Sequence, residues 1–140
     1  MLPFPIFLVP GESPYRQVVY AATKAVVSGV LPSGSPFPSV RELSQALKIN
    51  PNTAHKVVAE LVRNGVLEVL PGVGTVVAIG TESSAAEKRA LLSKPVEQLV
   101  VEAMRLGLAE QDVVQAVASR WRELRSETQP KVAICAATSE

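Results

Sequence analysis

The sequence is poor in the residues that carry most enzyme chemistry. It has one histidine, one cysteine and only six aromatic side chains among 140 residues. Scarce aromatic rings argue against the stacking platforms that bind RNA or single-stranded DNA. The lone Cys135 cannot form an internal disulfide, which fits a reducing, cytoplasmic compartment. The sequence contains no paired metal-ligand spacing and no phosphate-binding glycine loop, so we expect neither an enzyme nor a cofactor.

The chain also lacks a strong charge of either sign and a long hydrophobic run. Its formal net charge is +1, which permits binding to nucleic acid without demanding it. The apolar start, residues 2–9, contains Pro3 and Pro5 and has no basic segment before it. This run is too short to cross a bilayer. We therefore predict an extended arm or edge strand there, with no signal-peptide role and no membrane partner.

The sequence does have a series of helix start and stop signals. Ser13 followed by Pro14 predicts the start of a first helix, and Gly29 predicts its end. Ser39 and Glu42 have the spacing of a capping box at the start of a second helix. The side chains that we expect to face inward from this second helix are Leu43, Ala46 and Leu47.

A third helix and a hairpin follow. Asn50 and Pro51 predict the start of the helix a short turn after the second one. Two β-rich runs, residues 66–70 and 75–79, flank residues 71–74, whose glycines predict a tight turn. The expected buried stripe of the third helix is Ala54, Val57, Val58 and Leu61. This order predicts an α+β fold, a winged helix-turn-helix that presents one helix to the major groove of DNA.

The pattern becomes purely helical beyond Gly80. Residues 81–86 are small and polar and suggest a joint. The helical pattern over residues 87–106 is interrupted by Pro95, which either kinks one helix or divides two. A last helix is predicted over residues 110–125. The predicted parts are a winged-helix DNA-binding domain at 1–80, a helical dimerisation domain at 81–127 and a C-terminal tail at 128–140.

The helices after residue 80 carry apolar stripes that two helices cannot hide between themselves. A ligand pocket is one alternative, but two helices do not easily enclose one. We therefore expect these stripes to form a homodimer interface. The interface residues that we predict are Leu99, Val100, Val117, Trp121 and Leu124.

A linked set of motifs over residues 13–78 resembles the GntR family of bacterial transcription regulators. The motifs are Pro14-Tyr15-Arg16-Gln17, Ser28-Gly29-x-Leu31-x-x-Gly34, Pro38-Ser39-x-Arg41-x-Leu43, Asn50-Pro51-Asn52-Thr53 and Gly72-x-Gly74-Thr75. The short helical part is similar to the YtrA-like branch of that family. This resemblance implies dimerisation through the helical appendage and a link to ABC-transporter operons.

Resemblance and position together imply a set of DNA-binding residues at the starts of two helices and in the hairpin. This set is Ser39, Arg41, Asn50, Asn52, Thr53, His55, Lys56, Gly72 and Gly74. The guanidinium of Arg41 suits a phosphate or a guanine edge, and the alternative is an exposed arginine paired with Glu42 or Glu60. Asn52 and Thr53 are not needed to cap the third helix, which favours a role in the groove.

The sequence thus predicts a DNA-binding transcription regulator, a repressor that binds a pseudo-palindromic operator on double-stranded DNA as a homodimer. The alternative is a winged-helix module for protein assembly with little DNA binding. The weakly basic composition and the uncharged hairpin tip favour that alternative, whereas Arg41, Asn52 and Thr53 favour the first interpretation. An unidentified small-molecule effector stays open as a further partner.

Overall fold

The computed structural model describes residues 2–78 and 83–128 of the chain. The described residues up to 78 lie in one compact unit, and residues 83–125 form a second. The elements are α1 (Pro14–Val27), α2 (Val40–Leu47), α3 (Pro51–Arg63), β1 (Leu67–Leu70), β2 (Gly74–Val77), α4 (Ala85–Leu91), α5 (Lys94–Arg105) and α6 (Glu110–Thr128). The predicted tail beyond Thr128, with Cys135, lies outside the described residues, as does Ile79 at the end of the second β-rich run.

The predicted caps of the first unit are confirmed. The Ser13 hydroxyl accepts a hydrogen bond from the Arg16 N–H at the start of α1, with Pro14 at the first helical position. Gly29 follows the end of α1 with a φ of 86°. The Ser39 hydroxyl accepts from the Glu42 N–H at 3.1 Å, and Glu42 Oε1 accepts from the Ser39 N–H at 3.0 Å. This reciprocal pair satisfies two backbone donors that would otherwise be unpaired at the start of α2.

One of the inward positions predicted on α2 is wrong. Leu43 is fully buried and Leu47 is half-buried, but Ala46 is exposed. The helix has only eight residues, and Leu43 is its one fully buried side chain, with Val40, Ser44 and Leu47 half-buried around it. Ala46 lies on the flank of this group. At the end of α2, Lys48 adopts a φ of 55° and lets the chain turn sharply into α3.

The predicted hairpin is confirmed, and it gains a third backbone segment. β1 and β2 are antiparallel, with Leu67 opposite Val77 and Leu70 opposite Gly74. The loop before α2 runs along the other side of β2, where the Phe37 N–H donates to the Thr75 carbonyl at 2.9 Å. Pro36 forms an isolated bridge with Val76 in the same segment. The hairpin is therefore tied to the chain immediately before α2.

The core of the first unit lies where α1 and α2 pack on α3. Its buried residues are Val18, Ala22, Ala25, Leu31, Leu43, Ala54, Val57, Leu61, Leu67 and Val77, together with Phe4 and Phe37. The Ala54, Val57 and Leu61 stripe of α3 is confirmed, and Val58 is half-buried beside it. Burial of this apolar surface supplies most of the drive to fold. Residues 5–9 form an extended arm and no strand, so the arm is the correct one of the two predicted forms.

The first helix of the second unit starts two residues before residue 87, where the helical pattern was predicted to begin. α4 begins at Ala85, because Ser84 and Glu87 form a capping box that the sequence prediction missed. The chain turns between α4 and α5 just before Pro95, so Pro95 divides two helices rather than kinking one. Gly107 follows the end of α5 with a φ of 78°. None of the described helices is long and apolar enough to cross a membrane.

Candidate nucleic-acid interface

At the start of α2, Arg41 is exposed to solvent beside Glu42, whose carboxylate takes part in the capping box. Glu42 is held by the Ser39 N–H, and these hydrogen bonds, first from the backbone and then from the hydroxyl of Ser39, lower the pKa of Glu42. The other acidic side chain considered for Arg41, Glu60, forms an ion pair with Arg63. Among the described residues, Arg41 therefore has no ion-pair partner, and its guanidinium is available to a ligand.

At the start of α3, one side chain caps the helix, and its exposed neighbours are available for other contacts. Asn50 Oδ1 accepts a hydrogen bond from the Asn52 N–H at 2.7 Å, which confirms Asn50 as the cap. The Asn52 side chain is exposed, and Thr53 is half-buried. His55 and Lys56 are both exposed on the following turn. Polar side chains and unpaired N–H groups at a helix start suit phosphate oxygens and base edges.

The solvent-facing side of α3 extends further than the predicted set. Asn52, Lys56, Ala59 and Arg63 are exposed and are spaced by four, three and four residues, so they share one face of the helix. We call these four residues the α3 outer face. It lies opposite the buried Ala54, Val57 and Leu61 stripe. Sequence reasoning missed Arg63, although the same helical spacing from Asn52 would have found it.

The two hairpin glycines are needed for the backbone conformation of the tip. Gly72 and Gly74 have φ values of 77° and 116°, and an added Cβ would meet no atom within 4 Å at either position. Their requirement is therefore the backbone conformation alone. Val73 projects from the tip with 72% of its surface exposed. Glu68 is the charged residue of the hairpin, so this wing offers no cation to phosphate.

The predicted dimer residues lie on exposed apolar surface in the second unit. Leu99 and Val100 on α5 are 48% and 37% exposed, and Val117 and Trp121 on α6 are 48% and 66% exposed. Leu124 is half-buried. Ala103 is the one buried apolar residue that the described part of this unit contains. The unit by itself therefore leaves most of its apolar side chains in water.

No group of three or more His, Cys, Asp or Glu side chains within the described ranges could hold a metal ion. An open groove of about 280 Å³ runs between the N-terminal arm and α1. Its lining is largely apolar and includes Phe7, Tyr20 and Lys24.

Two helices joined by a short turn, followed by a β-hairpin, with a polar outer face on the second of the two helices, define a winged helix-turn-helix protein. Helix-turn-helix proteins place the second of the two helices in the major groove of DNA. The chain belongs to the gntR family of bacterial regulatory proteins, whose sequence pattern matches residues 14–77. The predicted family and fold are confirmed. This family is not enzymatic in general.

Relatives in sequence and in structure agree with this assignment. The HTH-type transcriptional repressor YtrA of Bacillus subtilis is 32% identical over 95 residues, which cover 67% of this chain and 73% of YtrA. The HTH-type transcriptional regulator YhcF of the same organism is 30% identical over 103 residues, covering 74% and 85% of the two chains. The crystal structure of a transcriptional antiterminator from Listeria monocytogenes superimposes with a TM-score of 0.73 at 26% identity, covering 86% of this chain and 93% of the other.

Proposed function

We propose that the chain is a transcriptional repressor that binds a pseudo-palindromic operator as a homodimer. The observation that carries this proposal is the α3 outer face, which is exposed, presents the polar Asn52, Lys56 and Arg63, and lies opposite the buried core. A helix held in this way can enter the major groove without losing its packing. The B. subtilis relative YtrA is named a repressor, which supports repression as the outcome of binding.

Each predicted residue has a distinct task in this proposal. Arg41 contacts a guanine edge or a phosphate, because a guanidinium forks onto both. Asn52 and Lys56 reach base edges and phosphate from the first turns of α3, and His55 lies beside them. Ser39, Asn50 and Thr53 hold the two helix starts against the DNA backbone, and Gly72 and Gly74 bring the wing tip close to it.

The second unit supplies the two-fold axis. Its apolar side chains on α5 and α6 are exposed within one chain, and a second copy is the partner that would cover them symmetrically. The proposed interface contains Leu99, Val100, Val117, Trp121 and Leu124. Such a dimer would set two copies of α3 about one DNA turn, or roughly 34 Å, apart.

Selection of DNA from a random duplex pool by the full-length protein, followed by anisotropy titration of the selected duplex, tests the proposal. Repeating the titration over a range of salt gives the number of phosphates neutralised. The few free cations on the first unit predict a shallow slope, with about two to four phosphates per protomer and roughly 0.9 units of log K per log salt for each. A much steeper slope would mean that basic residues such as Lys88 and Arg89 also bind DNA.

The uncharged wing tip and the acidic Glu68 beside it favour a second candidate function, a protein-assembly module with little DNA binding. Failure of the random pool to yield any preferred sequence would support this second function and reject the first. The proposed regulator has no catalytic activity and works in the cytoplasm, where bacterial DNA lies. An effector molecule is not needed for binding in this proposal.

A further inference from the structure

We propose that Phe4 on the N-terminal arm is a positioning residue for DNA binding, because its ring holds the segment that leads into α2 and so sets where Arg41 stands. This inference rests on the DNA contact proposed above for Arg41. The arm precedes the winged helix in sequence and contributes no charged side chain before Glu12. The Phe4 side chain carries no charge, so its own effect on DNA would pass through packing.

The contact that carries the inference is a stacked pair of buried rings. Phe4 and Phe37 are 4% and 6% exposed, and their ring centroids lie 5.8 Å apart with an angle of 15° between the planes. Phe37 comes two residues before Ser39, the cap of α2, and Pro38 separates them. Proline fixes its own φ and restricts the residue before it, so a shift of Phe37 is passed on to the cap.

Phe37 is also bonded to the wing. Its N–H donates to the carbonyl of Thr75, the residue after Gly74, at 2.9 Å. One ring pair therefore braces two DNA-facing elements, the start of α2 and the second strand of the hairpin. Loss of the Phe4 ring would leave Phe37 with the backbone bond but without the packing that fixes its side chain.

The arm is anchored at its other end by Gln17 on α1. The Gln17 side chain accepts from the Val9 N–H at 2.7 Å and donates to the carbonyls of Val9 and Glu12 at 3.1 and 3.2 Å. Between the two anchors, Phe7 is 91% exposed. The arm is thus fixed at two points. Phe7 lies between them as an exposed aromatic residue, which makes it a matched control for Phe4.

A double-mutant cycle on operator affinity tests the proposal in the full-length chain. Phe4→Leu keeps an apolar side chain in the core but removes the stacked ring, and Phe7→Leu makes the same change on the exposed part of the arm. With DNA selected by the wild-type protein, we expect Phe4→Leu to weaken binding about threefold to tenfold, and less than about twofold once Arg41 is already alanine. Phe7→Leu should leave affinity unchanged in both backgrounds.

Amide hydrogen exchange on the free protein reports the same link without DNA. Phe4→Leu should speed exchange of the Glu42 N–H, which is bonded to the Ser39 hydroxyl, more than exchange of the Leu61 N–H in the core. Gln17→Met, which releases the other anchor without entering the core, should repeat this pattern if Phe4→Leu folds poorly. If the variants speed exchange of the Glu42 and Leu61 amides by the same factor, the proposal is overturned.

The possible failures are distinguishable. Full affinity of Phe4→Leu, beside a weakened Arg41→Ala, overturns the role of Phe4 and leaves the proposed function intact. An equal loss for Phe4→Leu in both backgrounds shows that Phe4 does not act through Arg41, and it overturns the inference as well. A wild-type protein that selects no DNA, or an Arg41→Ala variant of full affinity, removes the contact on which the inference rests.

Discussion

The two units of this chain differ in how much of their apolar surface each buries within itself. The first packs α1, α2 and α3 around a continuous set of fully buried side chains, whereas the second buries Ala103 and leaves Trp121 and Met104 more than 60% exposed. Hydrophobic burial that is complete within one chain gives a stable monomeric unit. Incomplete burial leaves apolar surface in water, and we propose that a second copy covers it. The comparison therefore separates a unit that buries its own core from one whose apolar side chains are largely exposed.

Cutting the chain at this division should have the largest effect. We expect a protein lacking residues 81–140 to stay folded, because the buried core of the first unit lies within residues 2–78. It should be monomeric and bind a half-site, with affinity for the full operator lower by about 10²- to 10⁴-fold because the bivalent linkage is lost. Analytical ultracentrifugation and anisotropy titration measure the two changes. A truncated protein that sediments as a dimer would place the interface in the winged helix.

Matched truncations of one side chain in each unit would sharpen the comparison. Leu61→Ala removes a fully buried side chain and should cost about 2–5 kcal/mol of unfolding free energy at any protein concentration. Val117→Ala removes a half-exposed one, so its cost should shrink as the protein is diluted and the dimer dissociates. Chemical denaturation at two protein concentrations tests both. The polar face of α6 supplies a control in Gln115→Ala, which should show neither effect.

In the first unit, Arg41→Ala tests whether Arg41 contacts DNA or stabilises the fold. We expect specific operator binding to weaken by about 1–3 kcal/mol, the usual value of a bidentate arginine contact to a base. The unfolding free energy should not change, because Arg41 is exposed and has no ion pair among the described residues. Anisotropy titration and thermal unfolding check the two statements. Unchanged operator affinity would remove Arg41 from the site.

The smallest expected effect concerns the acid sensitivity of the α2 cap. Folding lowers the pKa of Glu42, so its carboxylate stabilises the folded state at pH values above the ordinary glutamate range, and this contribution disappears as pH falls through the lowered folded-state pKa. Glu42→Gln cannot titrate at this position and should show a flatter acid profile. The NMR shift of the Ser39 amide proton during acidification reports the change, with Glu68→Gln as the exposed control. Identical shifts in Glu42→Gln and wild type would contradict it.

The features predicted from the sequence are mainly those set by neighbouring residues. The Ser39 and Asn50 side chains accept from backbone N–H groups three and two positions away, so local sequence was sufficient to predict both caps. The Ser84 and Glu87 box carried the same signal and was missed because the surrounding residues were interpreted as a joint. The pairing of Phe37 with Thr75 joins distant segments, and no local pattern specifies it.

In the candidate site, too, local spacing predicts some features and not others. Helical spacing placed Asn52 and Lys56 together on the outside of α3, and the same spacing would have added Arg63. The use of Glu42 and Glu60 by other partners, which leaves Arg41 free, is a matter of side-chain geometry that spacing does not determine. DNA contact by these residues stays a prediction until the titrations described above are made.

Lys48 places a positive charge in the turn between α2 and α3, at a position where its backbone conformation lowers the stability of the fold. Among the described residues it is the one non-glycine residue with a positive φ, at 55°, in the turn from α2 to α3. A glycine would hold the same turn without the strain of about 1–2 kcal/mol that a side chain meets in this region. It would also remove an exposed ammonium group next to the start of α3. A Lys48→Gly variant should therefore have a higher melting temperature in thermal unfolding, and the loss of this positive charge should weaken DNA binding in an anisotropy titration.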